Sequence, residues 1–301
     1  MTGLEGGGWT ALLVEVSFWL SLAVGLSALA ASLLGVAGRE RGQRRLSTFS
    51  LGGMWVLQLL LAGAVAVRWI EVGHQPWQTL YEVLLLVSAF LVFSYLMVRF
   101  ALREFRSSRI SAAIFDFFTA LTAGSTALLL FIGMGKDDSA SVLPPALKSY
   151  WMAPHVVAYT FAYATLGIAC TAVVTWWGVS LAARLRKGRV SQETGRWLAE
   201  FDRFAYAVVA VGFPFLTAAL LMGSLWGQEA WGSYWGWDSK EVAALISWII
   251  YVIYLHLRLV AGWRGGRLYA VLFAGAVSIA VCFLLFSFLP ASFSSLHRYA
   301  E

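Results

Sequence analysis

Eight apolar runs, each long enough to cross a bilayer, constrain this chain more than any other feature. They lie near residues 10–36, 49–70, 80–101, 112–133, 153–181, 205–225, 241–261 and 268–289. About 20 apolar residues cross the hydrocarbon core as a helix, because a helix satisfies its own backbone polar groups where water is missing. A chain of 301 residues that is 60% hydrophobic and only 13% charged could not hide that surface in a soluble core. The pattern predicts an all-α, polytopic membrane protein with about eight transmembrane helices, in one membrane domain over residues 1–301. The start, Thr2 to Gly8, is acidic and glycine-rich, and the first run is long enough to span, so a cleaved leader is not expected.

The placement of charge orients these spans. Arg39, Arg41, Arg44 and Arg45 follow the first run, and Arg99, Arg103, Arg106 and Arg109 follow the third. Arg184, Arg186, Lys187, Arg189, Arg196 and Arg203 follow the fifth, and Arg258, Arg264 and Arg267 the seventh. Of 22 basic residues, only Arg68, Lys136, Lys148, Lys240 and Arg298 fall on the opposite side. Basic connections stay in the cytoplasm, so the N- and C-termini are expected on the external (periplasmic) face. The net charge of +6 is then an orientation signal within a lipid bilayer, and no nucleic-acid partner is needed to explain it. Cys170 and Cys282 both sit in apolar runs, and no CxxC occurs, which leaves neither a thioredoxin motif nor a disulfide framework.

The connection between the sixth and seventh runs is external in this arrangement. It reads Trp231-Gly232-Ser233-Tyr234-Trp235-Gly236-Trp237-Asp238-Ser239-Lys240-Glu241, with Trp226 just before it. One tryptophan at an interface is ordinary anchoring. Five aromatic residues exceed what one helix end requires, and Gly232 and Gly236 let backbone approach a flat ligand closely. Asp238 and Glu241 have capping-box spacing before an apolar run, and Thr79 and Glu82 repeat the device before the third run. Capping therefore accounts for these carboxylates better than acid–base catalysis.

Three of the four histidines share the external face. His74 lies between the second and third runs, His155 opens the fifth and His297 is in the tail. Pro154 fits the first position of a helix, which places His155 near a positive helix end that favours neutral imidazole, the form that binds iron. Two external histidines could supply both axial ligands to one haem iron. His256 alone is intramembrane, about 15 residues or roughly 22 Å from Glu241 along a helix. An ionisable residue at that depth is a functional candidate, although Arg258 beside it also fits an interfacial, snorkelling position.

The stretch from Trp231 to Glu241, continuing through Ser247-Trp248 to Tyr254-Leu255-His256-Leu257-Arg258, closely resembles the WWD domain of cytochrome c biogenesis proteins. It is most similar to the CcsA (ResC) branch of system II, which some naming schemes call CcsB. The segments Gly73-His74-Gln75-Pro76, Leu80-Tyr81-Glu82 and Leu296-His297-Arg298-Tyr299 resemble that branch too. Ser239, where many relatives carry Pro, and Ala243-Ala244, in place of a Thr-Trp pair, depart from it without touching the proposed ligands.

The resemblance implies a WWD loop at about 226–241 and a cargo of haem b moved from the cytoplasmic side to an external site. Ligation of the iron there is implied for His155 and His297, and an intramembrane role in receiving haem for His256. Trp231, Tyr234, Trp235, Trp237 and Asp238 would line the external site, with His74 a further candidate. It also implies a subunit of a holocytochrome c synthase of the haem lyase type, in a bacterial inner membrane or a thylakoid membrane. Its partners would be a ResB-type (CcsB-type) membrane protein, an apocytochrome c presenting CxxCH, and a thiol-reducing protein. Thioether formation needs reduced thiols and alignment of vinyl with sulfur, so holding the reactants would be this chain's contribution. The alternatives are system I-type delivery of haem to a chaperone without ligation, and a membrane haem, lipid or quinone transporter. A membrane cytochrome b needs paired intramembrane histidines, which this sequence lacks.

Overall fold

A computed structural model of the chain describes residues 8–103, 109–136, 139, 145–185 and 192–282. Among these residues the protein is helical: α1 (Trp9–Val36), α2 (Glu40–Val72), α3 (Leu80–Ala101), α4 (Arg109–Met134), α5 (Met152–Leu185), α6 (Gln192–Trp231), α7 (Ser239–Leu259) and α8 (Gly266–Ala280), with a short 3₁₀ turn at Pro145–Lys148. The helices α1 to α7 are each long and apolar enough to cross a membrane, so the chain is a multi-pass membrane protein. The helix α8 is shorter, and the eighth expected span, 268–289, runs past residue 282 and out of the described residues.

Two helices extend well beyond the apolar runs that announce them. The expected second span began at residue 49, but α2 starts at Glu40, so the arginines at 41, 44 and 45 lie on helix. Gln43, Ser47 and Ser50 form its buried stripe while those arginines face outward, a helical period that the apolar window does not register. The helix α6 has 40 residues, about 60 Å at 1.5 Å per residue, roughly twice the hydrocarbon thickness. One end of it must therefore project beyond the core. Pro214 lies within it.

The helices fall into two compact units, α1–α4 and α5–α8. In the first, α1 packs against α2 and α4, and α3 against α2 and α4. Its interior holds two polar clusters. Arg99 donates to Tyr95 and Thr119 at 2.9 Å, stands 3.9 Å from Asp116, and Asp116 also accepts from Gln43 at 3.2 Å. At the other end of α3, Arg68 pairs with Glu82 at 3.0 Å, while Glu82 closes the capping box on Thr79. Every one of these charged groups is buried, where pairing is the condition for ionisation at tolerable cost.

In the second unit α5 packs along α6 and touches α8, and α7 packs on α8. Short hydroxyl contacts tie α7 in place: Ser247 meets Ser278 of α8 at 2.6 Å, and the Trp248 indole donates to Thr217 of α6 at 2.9 Å.

Candidate functional site

The site is built at the end of the second unit where α6 finishes and α7 begins. Trp226 and Trp231 belong to the last turns of α6, and Ser239–Glu241 form the first turn of α7, so the connecting segment proper is 232–238. Gly232, at φ +75°, turns the chain out of α6. Asp238 caps α7, accepting from the Lys240 N–H at 3.2 Å, and Glu241 completes the capping box expected from the sequence.

Glu241 does more than cap. One carboxylate oxygen accepts from the N–H of Gly236 at 2.8 Å and of Asp238 at 3.2 Å, the two residues that flank Trp237. Trp237 sits at φ +55°, a left-handed conformation that costs a bulky residue roughly 1–2 kcal/mol. The carboxylate thus holds Trp237 in a conformation it would not choose, with its side chain 72% exposed. Trp235 meets Trp237 edge-on at 6.0 Å, and Tyr234 is 58% exposed beside them. Anchoring alone would not require that strain, and strain of this kind tends to accumulate where a side chain must be presented.

His155 lies on α5, against α6. The helix starts at Met152, two residues before Pro154, so Pro154 occupies the first turn without opening it. The His155 Nδ1–H donates to the Ala219 carbonyl at 3.0 Å. A carbonyl can only accept, so this contact puts a proton on Nδ1 and, in neutral imidazole, the lone pair on Nε2. The ring stacks on Trp226 at 5.6 Å and 29°, and meets Tyr159 edge-on at 4.9 Å. Trp226 is 3% exposed and meets Trp231 at 4.5 Å, which makes His155, Trp226 and Trp231 one continuous aromatic surface. A backbone partner that fixes the tautomer and a wall that fixes the ring plane are the usual supports of a metal-ligating histidine.

The further candidates are His74, His256 and His297. His74 belongs to the first unit, in the α2–α3 connection, with Nδ1 at 2.9 Å from the Gln75 carbonyl. His297 lies outside the described residues. His256 is exposed in the last turn of α7. Arg258, two residues on, does not snorkel: it is 6% exposed and grips Asp202 of α6 with both nitrogens, at 2.9 and 2.5 Å. Tyr269 of α8 donates to the same carboxylate, and the guanidinium lies over Tyr206. Sequence reading missed this clamp because 56 residues separate its charges. The available signal was an acid at one apolar boundary and a base at another.

Comparison with known proteins agrees with this architecture. The model of the cytochrome C assembly protein family matches residues 77–293. The chain belongs to that family. Curated relatives carry the name cytochrome c biogenesis protein CcsA. That of Chlamydomonas reinhardtii is 33% identical over 77% of this chain and 63% of its own length. That of Parasynechococcus marenigrum (strain WH8102) is 34% identical over 75% and 79%, and that of Synechococcus sp. (strain RCC307) 32% over 87% and 91%. The resemblance to the CcsA branch read from the WWD motif is thereby borne out. Among solved structures, cytochrome c haem lyase CcmF matches with a TM-score of 0.59 over 95% of this chain and 51% of its own, at 20% identity. That likeness concerns the fold.

Proposed function

We propose that the chain takes part in cytochrome c maturation by receiving haem b and presenting it for covalent attachment to an apocytochrome c. The observation that carries this is the setting of His155: its ring stacks on Trp226 and its Nδ1 lies 3.0 Å from the Ala219 carbonyl, which makes Nε2 the nitrogen suited to iron. The exposed faces of Tyr234 and Trp237 suit a flat, largely apolar macrocycle.

In this reading the charge pattern puts the Trp-rich segment on the external side of an inner or thylakoid membrane. His297 would be the second residue to hold the iron. His256, exposed near the opposite end of α7, receives haem within the membrane together with a ligand from a ResB-type partner. His74, in the α2–α3 connection, is a further candidate for haem binding. The haem brings the vinyl groups, and the apocytochrome brings CxxCH thiols kept reduced by a separate thiol reductant. What this chain contributes is binding, orientation and shielding.

The test is the haem content and visible spectrum of the purified protein, with and without a co-expressed ResB-type partner. A low-spin, bis-histidine haem that diminishes in His155→Ala and His297→Ala, together with loss of holocytochrome c, supports the proposal. Haem loading without cytochrome attachment in the presence of the partner would favour delivery to a chaperone. No haem under either condition would leave the transporter reading.

A further inference from the structure

Three positions of α6 face the His155 ring. Ala219 gives its carbonyl, Trp226 gives its indole face, and between them stands Gly223. Spacings of four and three residues put all three on one stripe of the helix. A Cβ built on Gly223 would lie 2.5 Å from His155 Cε1 and 2.8 Å from Nδ1. Those distances are well inside van der Waals contact, and the opposing atoms belong to a ring that α6 holds at two points, the Ala219 carbonyl and the Trp226 indole. Tyr159, one turn further along α5, meets the ring edge-on at 4.9 Å. The ring is half-buried, and moving away from Gly223 would take it off the Ala219 carbonyl and the Trp226 face.

Gly223 has no turn to make, because it lies in mid-helix at ordinary helical φ. A mid-helix glycine costs roughly 1 kcal/mol relative to alanine. The benefit that offsets this cost is the close approach of imidazole to the helix backbone.

Building on the haem reading above, we infer that Gly223 is a positioning residue for iron ligation. Its missing side chain leaves a slot in α6 that fixes the plane and tautomer of His155, so that Nε2 points the donor lone pair at haem iron. Gly223 touches neither haem nor apocytochrome in this role. It acts through His155, and a ligand-supporting contact of this kind is worth about 10- to 100-fold in affinity.

The experiment uses the full chain co-expressed with its ResB-type partner, and four forms: wild type, Gly223→Ala, His155→Gly, and the double variant. Gly223→Ala should bind haem about 10- to 100-fold more weakly and lose the low-spin spectrum, and added imidazole should restore that spectrum. In the His155→Gly background the alanine methyl has room. The double variant should therefore accumulate like His155→Gly and bind haem with imidazole equally well. That holds even if Gly223→Ala alone fails to accumulate, and rescue of accumulation by removing the ring would itself support the slot. A wild-type haem spectrum in Gly223→Ala, beside a lost one in His155→Gly, would overturn the slot and leave ligation by His155 standing. A wild-type spectrum in His155→Gly would overturn ligation and the slot together. A double variant that fails to accumulate where His155→Gly succeeds would show that Gly223 serves helix packing instead.

Discussion

The two ends of α7 handle polar groups in opposite ways. At the C-terminal end Arg258 is buried, and its guanidinium is committed to Asp202, with Tyr269 on the same carboxylate and Tyr206 beneath the cation. At the N-terminal end Glu241 spends its carboxylate on backbone N–H groups, and the result is aromatic surface turned outward at Trp237 and Tyr234. The first arrangement joins three helices and exhausts its own chemistry. The second fixes the backbone on either side of Trp237 and turns its indole outward. In a chain rich in buried charge, the ion pairs mark what holds the helices together. The proposed haem site lies where polar groups support other residues.

The sharpest way to break this contrast is at His155. Replacing it with alanine should lower holocytochrome c yield at least about tenfold, measured by haem stain after co-expression with the partner, while the membrane level of the chain stays unchanged. A fall in chain level would make His155 a packing residue and dissolve the contrast.

The clamp should behave in the reverse manner. Asp202→Ala leaves Arg258 buried without its carboxylate, which should cost about 3–5 kcal/mol. A detergent thermal melt would read this as a large drop in Tm, and Asp202→Ala combined with Arg258→Met should recover most of it. Equal stability of the single and double variants would mean the pair is not a clamp.

Smaller effects sharpen the account of the loop. Asp238→Ala removes an N-cap and should cost about 1 kcal/mol, seen as earlier proteolysis of the 232–238 segment. Trp237→Gly relieves the left-handed conformation, so stability should stay within about 1 kcal/mol of wild type while haem retention falls. Reduced stability with unchanged haem would show that Trp237 packs and does not present.

Much of this was legible in the sequence. Apolar length gave the spans, because the bilayer imposes it, and the capping boxes at Thr79 and Asp238 appear as read, because a cap is a local event within four residues. The clamp of Arg258 on Asp202 and the slot at Gly223 went unread. Both depend on how α6 is rotated against α5 and α7, which no local spacing encodes. Gly223 in particular is one glycine among 28, and only the ring opposite gives it meaning.

The central claim is that His155 donates to haem iron, and the most direct measurement is the low-temperature EPR spectrum of oxidised haem in the purified complex, wild type against His155→Ala. The account predicts a low-spin, bis-imidazole signal in the wild type, and in the variant a high-spin signal that returns to low spin when imidazole is added. An unchanged low-spin signal in His155→Ala would contradict it.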